Sequence, residues 1–453
     1  MSIPATSRET IYALSSAPGR AGVAVIRVSG PSAGEVLDKI AGGLPHARRA
    51  VLRAFVRPKS QEPIDRGLVL WMPGPKTFTG EDVAELHVHG GRAVVQAMLA
   101  AIGQIAGCRM AEPGEFARRA FASGKIDLTE AEGLADLIDA ETEAQRVQAL
   151  RQAGGSLSVL YEGWRRELIE ALALTEAAID FSDEGDVSLK SLEMASERVT
   201  ELRGKIARHL DDGHRGEILR EGLQVVLAGA PNVGKSSLLN QLARREAAIV
   251  SAEAGTTRDV IEVRLDLEGL PVIVTDTAGL RETEHMVERE GIRRTLQRAE
   301  QADLIIWIED ASAPGAGPPE EIKARLADTI VVLNKADLAG EGAPKHDGEA
   351  LPISAKTGAN VDVLVKRIAE EARQRIAPRE EPAVTQLRHR QHLEECLHFL
   401  EAYEVASQAG PEEMAELRAE ELRLAAAALG RISGRVDVED VLDAVFARFC
   451  IGK

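Results

Sequence analysis

No run of about eighteen or more apolar residues occurs anywhere in the 453-residue chain, so no membrane-spanning helix is expected. Met1 to Thr10 carries no basic segment followed by an apolar one, which argues against a secretory signal. Cysteine is scarce. Cys108, Cys396 and Cys450 are far apart and odd in number, which speaks against a disulfide framework and a CxxC zinc site. A reducing cytoplasm is the expected compartment. Positive charge is also short, with 55 Lys and Arg against 72 Asp and Glu and a net charge of −17. A general nucleic-acid binder usually carries a basic surface. Any RNA contact therefore has to come from a local patch, from a partner protein, or from both. There is no internal repeat and no long low-complexity tract; GAGPPEE, Gly315 to Glu321, reads as a short loop.

What is present supports several cores. Hydrophobic residues make up 44% and charged residues 28% of the chain, and the length suggests two to four domains. Residues 1–120 mix short apolar runs with turn residues. VAVIRVSG (Val23 to Gly30) and DVAELHVHGG (Asp82 to Gly91) read as strands ending in turns, which makes this an α+β unit. Residues 121–218 turn helical, with Leu157, Leu160, Trp164, Leu168 and Leu172 spaced three and four apart. Residues 219–377 alternate strands and helices, which implies a mostly parallel sheet with crossover helices. Residues 378–453 are helical again, with Leu393, Leu397 and Leu400 on one face and Gly430 as a candidate C-cap. The expected fold is thus multidomain: an α+β N-terminal domain, and an all-α helical domain into which an α/β P-loop G domain of the Ras-like type is inserted. Insertion is tolerable because chain ends of a domain often lie close together.

The strand QVVLAG runs into GAPNVGKS, Gly229 to Ser236, and then into an apolar helix. This is a phosphate loop in its strand–loop–helix context. Gly229 and Gly234 let backbone N–H groups converge on phosphate oxygens. Lys235 supplies a point charge for the β- and γ-phosphates, and Ser236 offers a hydroxyl to Mg²⁺. Further motifs follow in order. Asp276-Thr277-Ala278-Gly279 ends a strand, where the carboxylate serves the Mg²⁺ shell and the glycine N–H senses the γ-phosphate. Asn334-Lys335-Ala336-Asp337 ends another, where the Asp337 carboxylate matches the ring N–H and amine of guanine. ATP lacks that donor pair and would leave a buried carboxylate unpaired. Ser354-Ala355-Lys356 supports the base, and Gly255-Thr256-Thr257-Arg258-Asp259 supplies a hydroxyl in a switch-like loop. Together they predict a guanine-nucleotide-hydrolysing domain.

Many regulatory GTPases place glutamine directly after DxxG to orient the attacking water; here that position is Leu280. Two substitutes are visible. The amide oxygen of Asn232 can ligate a cation between the phosphates, or Asn232 can simply shape the loop. Of the acidic run Glu282, Glu284, Glu288 and Glu290, one carboxylate can orient water, or the run can be a solvated loop.

The phosphate loop PNVGKSSLLN, the stretches AAIVSAEAGTTRDV and DTAGLRET, and the helix start VEREGI resemble one family, the tRNA modification GTPases known as MnmE or TrmE. So do APGRAGVAVIRVSGP, FTGEDVAELHVHGG, EPGEFARRAFASGKIDLTEAEGLADLIDA and the terminal FCIGK. The resemblance spans nearly the whole chain. It implies GTP contacts through Asn232, Val233, Gly234, Lys235, Ser236, Ser237, Ser251, Thr256, Thr257, the Asp276–Gly279 segment, Asn334, Lys335, Asp337 and Ser354–Lys356. It implies Mg²⁺ on Ser236 and Thr257. It implies K⁺ on the Asn232 side chain and on the loop containing Ser251, Glu253 and Thr256, with two G domains pairing face to face. Glu288 then orients the water. The N-terminal domain is implied to form a constitutive homodimer and to bind a one-carbon tetrahydrofolate (5-formyl or 5,10-methylene) through Arg27, Glu85, Lys125 and Lys453. The implied partners are a flavin-binding protein, MnmG, and tRNA, whose wobble uridine receives a (carboxymethyl)aminomethyl group.

From the residues alone, Arg27 ends an apolar strand and is either an exposed strand-end arginine or a partner for a glutamate tail. Glu85, His87 and His89 share one strand face by period-two spacing, which suits either a carboxylate facing an aminopyrimidine edge or, with further ligands, a metal. Cys450 is either a nucleophile or a small buried hydrophobe, and the resemblance of the terminal motif implies a place near the one-carbon site. A rival function of a different class is a GTP-dependent ribosome-assembly or RNA-binding switch, with the N-terminal domain as a docking module.

Overall fold

The computed structural model describes residues 9–181, 185–212, 214–245, 247–249, 262–276, 302–313, 317–338, 350–376, 382–408, 414–436, 439–447, 449 and 452. The chain divides into two compact units, one of Met1–Ala135, Gln152–Ile169 and Ala426–Lys453, the other of Asp136–Arg151 and Glu170–Ala425. Among the described residues no helix is long and apolar enough to cross a membrane.

The first unit is built on six strands: β1 (Thr10–Leu14), β2 (Ala21–Ser29), β3 (Val51–Val56), β4 (Pro63–Met72), β5 (Val83–Gly90) and β6 (Cys108–Met110). Their order is β3-β4-β5-β2-β1-β6. All pairs are antiparallel except β1 with β6. Alternation along β2 and β5 decides what faces the core. Ala24, Ile26 and Val28 with Leu86 and Val88 pack on Val36, Leu37 and Ile40 of helix Ala33–Ala41 and on Met98 and Ile102 of helix Arg92–Ile102. A fully buried leucine or isoleucine here contributes about 1.5–3 kcal/mol. The pleat sends the intervening residues, Arg27 and Glu85 among them, to the opposite face. The terminal segment returns to this unit: Val445, Phe446 and Phe449 pack with Ala117, Leu128 and Ala131. Gly114 permits the approach, since a Cβ there would lie 2.2 Å from the Phe446 carbonyl oxygen.

In the second unit β7 (Leu223–Gly229), β8 (Glu262–Leu267), β9 (Leu270–Asp276), β10 (Leu304–Asp310), β11 (Thr329–Asn334) and β12 (Leu351–Pro352) form a sheet of order β12-β11-β10-β7-β9-β8. Every pairing is parallel except β8 with β9. The apolar runs of β7, β9 and β10 are buried on both faces, as central parallel strands require. The helical stripes hold in part: Leu160, Leu172 and Leu397 are only half-buried. Leu157, Trp164 and Leu168 are buried, as are Leu393, Cys396, Leu400 and Tyr403. Gly430 does not end its helix. Ala415–Ser433 is continuous and Gly434, at φ +85°, follows it. At Gly430 the missing Cβ serves packing, because one would sit 2.9 Å from a methyl of Val436.

Candidate functional site: a guanine-nucleotide pocket

β7 ends in Gly229 at φ +147°, and the loop passes Asn232 at +63° and Gly234 at +100° before helix Lys235–Ala243 begins. Both glycines are required by space as well as by φ. A Cβ on Gly229 would stand 2.3 Å from the Ile308 carbonyl oxygen, and one on Gly234 would stand 2.2 Å from Asn334 Nδ2. The loop amides and the first turn of the helix therefore converge where an anion binds. The ammonium of Lys235 donates to the carbonyls of Gly229 and Ala230, both at 2.9 Å. Burial holds its pKa below the usual lysine value, partly offset by Asp276. The side chain is thus folded over its own loop.

Ser236 Oγ donates to Asp276 Oδ2 at 2.6 Å. Asp276 is placed by the end of β9 and is buried. A hydroxyl and a carboxylate converging here make an oxygen-rich corner that suits Mg²⁺. Asn232 is exposed on the loop, so its amide is open to a cation on the phosphate side.

The base end is tied to the phosphate end. Asn334, 2% exposed at the end of β11, donates from Nδ2 to the Val233 carbonyl at 2.7 Å and accepts from the Ala355 N–H at 2.9 Å. Ser354, fully buried, donates to Asp337 Oδ1 at 2.6 Å, which orients the carboxylate meant for guanine. Lys335, at φ +64°, reaches Asp310 Oδ2 at 2.6 Å. That hydrogen bond, aided by Ser312, pulls the Asp310 pKa down to about 2. A cavity of about 560 Å³ lies between these loops, lined among others by Ser237, Asn334, Lys335, Asp337 and Lys356. Sequence reasoning missed Asn240, Gln241 and Arg244 on its wall. With Ser237 they recur at three, four and seven on one helix face, and that spacing was the available signal.

Of the expected site, the structure brings together Asn232–Ser237, Asp276, Asn334, Lys335, Asp337 and Ser354–Lys356. Ser251, Glu253, Thr256, Thr257, Thr277, Ala278, Gly279, Leu280 and the acidic run with Glu288 lie outside the described residues, as do Cys450 and Lys453.

On the second face of the other sheet, Arg27 stands opposite Glu85 across β2 and β5. The guanidinium binds that carboxylate at 3.1 Å and lies 5.8 Å from the Phe116 ring centroid. His87 is 3.5 Å from Glu85, whereas His89 turns to Asp65 at 2.8 Å. Gly452 is held beside the end of β1, its carbonyl accepting from Ser15 Oγ at 2.9 Å. Lys125 is exposed and approaches Gly80, where an added Cβ would meet its Cε at 3.3 Å.

A phosphate loop, a Ser–Asp cation corner and a carboxylate held by Ser354 on one mostly parallel sheet define a P-loop GTPase. Two family models cover the chain: "GTP-binding protein TrmE N-terminus" over residues 10–125 and "MnmE helical domain" over residues 128–450. The chain belongs to the MnmE (TrmE) family of tRNA modification GTPases. The protein named tRNA modification GTPase MnmE from Parvibaculum lavamentivorans is 55% identical, covering 98% of this chain and 100% of its own length. The proteins of that name from Maricaulis maris and Methylobacterium radiotolerans are 53% and 51% identical, each covering 98% of this chain and 99% of its own. Among solved structures, a point variant of Aquifex aeolicus Era bound to GDP·AlF4⁻ is 28% identical over 42% of this chain and 69% of its own, with a TM-score of 0.24. The G domain of the Thermotoga maritima FeoB iron transporter is 26% identical over 33% of this chain and 98% of its own, with a TM-score of 0.23.

Proposed function

We propose that this chain is the GTP-hydrolysing component of a system that adds a (carboxymethyl)aminomethyl group to wobble uridine 34 of tRNA, working as a homodimer with a flavin-binding MnmG partner. The observation that carries the reading is the Asn334 bridge, which joins the phosphate loop to the loop whose Ser354 holds the Asp337 carboxylate. Lys235 leaves its loop carbonyls for the β- and γ-phosphates. Asp337, held by Ser354, accepts from the guanine edge. Ser236 and Asp276, with Thr257, hold Mg²⁺, which supplies charge neutralisation on the phosphates. Leu280 has no hydrogen-bonding group, so water orientation falls to Glu288. The exposed amide of Asn232, with the loop containing Ser251, Glu253 and Thr256, suits K⁺, and a monovalent ion there does the work of an arginine finger.

In this reading residues 1–120 bind a 5-formyl- or 5,10-methylene-tetrahydrofolate and dimerise. Residues 121–218 and 378–453 form the helical domain, and 219–377 the G domain. Arg27, Glu85, Lys125 and Lys453 bind the folate, with Cys450 nearby. The Arg27–Glu85 pair supports this, because it presents a guanidinium for a glutamate tail beside a carboxylate for an aminopyrimidine edge.

The test is GTP turnover at matched ionic strength in potassium and in sodium, with ATP as control. Strong stimulation by potassium with no ATP hydrolysis is expected. Equal rates in both salts would remove the cation mechanism, and ATP hydrolysis at a comparable rate would remove the Asp337 assignment.

A further inference from the structure

The strongest departure from the chain's acidic character lies at one edge of the N-terminal sheet. Residues 46–76 hold seven Lys and Arg against two Asp and Glu, in a chain of net charge −17. They comprise β3, β4 and their flanking loops, and β3 is the edge strand. Elsewhere arginines are commonly tied to carboxylates, as at Arg27, Arg109, Arg119, Arg198, Arg375 and Arg390. Here Arg57 approaches Glu62 at 3.5 Å and Arg48 donates to the Lys76 carbonyl. Arg49, Lys59, Arg66 and Lys76 are exposed and, among the described residues, form no salt bridge. Arg53 lies mid-strand and forms none with them either. Its Nε is buried without a hydrogen-bond partner among the described residues, and the residue opposite it is Gly67, which offers no side chain to cover it.

Charged residues on an edge strand guard against strand addition. Lysine is the cation most used for that role, whereas five of the seven here are arginine. That role also does not account for Lys59 and Arg66, in and beyond the β3–β4 turn. Unpaired guanidinium groups of one sign are instead the chemistry that binds phosphate. A six-residue strand is about 20 Å long, enough to lie along several consecutive phosphates of a nucleic-acid backbone.

We propose that the β3 edge and the β3–β4 turn bind the phosphate backbone of an RNA, with Arg49, Lys59 and Arg66 as the contacts. The proposal rests on the tRNA-directed function above and assigns the local basic patch that the acidic chain needs for it. These contacts position the RNA without reading its sequence.

The experiment uses the full-length protein and a fluorescein-labelled tRNA transcript. Anisotropy titrations run from 50 to 200 mM KCl, and GTP turnover is measured on each preparation. Arg49→Gln/Lys59→Gln/Arg66→Gln alters exposed side chains outside the nucleotide site. It is compared with Arg166→Gln/Lys190→Gln/Lys366→Gln, which removes the same charge from exposed cations elsewhere. The edge variant is expected to lose at least tenfold in affinity at 100 mM KCl. Its log–log salt slope should flatten by about two to three, given about 0.7–0.9 per phosphate released. GTP turnover should be unchanged in both variants, and the control should bind like the parent. Affinity within twofold with an unchanged slope in the edge variant overturns the proposal, as does an equal loss in the control. A parent that binds no tRNA at 50 mM KCl while hydrolysing GTP overturns this surface and leaves the GTPase reading standing. A parent that binds tRNA as expected but hydrolyses no GTP does the reverse.

Discussion

Asn334→Ala separates the two ends of the nucleotide site. The parent side chain spans the Val233 carbonyl and the Ala355 N–H at 2.7 and 2.9 Å, and only 2% of it is exposed. Truncation leaves two buried backbone groups unpaired. Each costs about 1–3 kcal/mol when its partner is removed without replacement, so the loss is about 2–6 kcal/mol. Both bonds are already formed in the nucleotide-free chain, so the loss falls first on its stability, and it reaches binding as far as the phosphate loop and the base loop separate. At about 1.4 kcal/mol per tenfold, the affinity for a fluorescent GTP analogue drops by at most about thirtyfold to ten-thousandfold. Thermal unfolding of the nucleotide-free chain, measured in parallel, should shift down as well. Asn334→Asp sharpens the test. It keeps an acceptor for Ala355 but faces the Val233 carbonyl with a second acceptor, so it should bind no better than the alanine variant. Affinity within threefold of the parent for Asn334→Ala, or parental binding by Asn334→Asp, would refute the bridge as the element that holds the pocket together.

Other perturbations probe separate links. Ser354→Ala removes the 2.6 Å hydrogen bond to Asp337, worth about 1.5–3 kcal/mol for a charged acceptor; GTP affinity should fall about ten- to a hundredfold in equilibrium binding, and selectivity over ATP should narrow. Asp310 has its folded pKa lowered to about 2 by Lys335, so the stability it contributes is complete above the ordinary carboxylate pKa and is lost as pH falls from about 4 to about 2. Urea midpoints of the parent and Asp310→Asn should therefore differ at pH 5 and converge near pH 2. Arg27→Ala should weaken binding of 5-formyltetrahydrofolate at least tenfold in equilibrium dialysis with GTP turnover unaltered; intact folate binding would remove the Arg27–Glu85 pair from that site. Gly452→Ala places a Cβ 2.1 Å from the Leu14 carbonyl oxygen at a φ of +104°, a conformation that alone costs about 1–3 kcal/mol. The tail should lose hydrogen-exchange protection, and unchanged protection would refute the close approach.

The nucleotide site was legible because its chemistry is local. Each motif sits at the end of a strand, and strand-to-loop junctions are marked by turn residues that an apolar run makes conspicuous. Period-two spacing likewise put Glu85 and His87 on one strand face, and Arg27 reads as ending an apolar strand. This could not show that Arg27 and Glu85 pair, because register between β2 and β5 depends on the whole sheet. The helix wall at Asn240, Gln241 and Arg244 was hidden for a similar reason, since a polar helix face looks solvated until the loop it faces is known. Gly430 misled in the opposite direction. Glycine near a helix end reads as a cap, yet here the absent Cβ makes room for Val436, a partner that no local pattern announces. The basic edge was countable in the sequence, but only the ion-pair geometry distinguishes free cations from paired ones.

How the inserted sheet is held is the least local feature, and it follows from three contacts that close the ends of the insertion. A Cβ on Gly216 would lie 2.1 Å from the Val384 carbonyl oxygen, so the entering and leaving backbones touch, and any larger residue would part them. Arg220, just before β7, reaches across to the Thr385 carbonyl at 3.3 Å and to Asp136 at 3.3 Å. Arg390, only 7% exposed, then binds Asp212 at 2.9 Å, Glu217 at 3.1 Å and the Leu210 carbonyl at 3.0 Å. Removing one member of a buried ionic set costs about 3–5 kcal/mol, because the others are left unpaired. Helix Glu143–Ala153 adds a hold at a second place: the Ala144 N–H donates to the Gly269 carbonyl at 3.0 Å, and Arg264 binds Glu141 at 3.1 Å. Gly269 lies in the β8–β9 turn, and β9 ends in Asp276, the carboxylate of the cation corner. The helical segment thus grips the same hairpin that positions a nucleotide-site residue, so the G domain is fixed to it at the sheet edge as well as at its base.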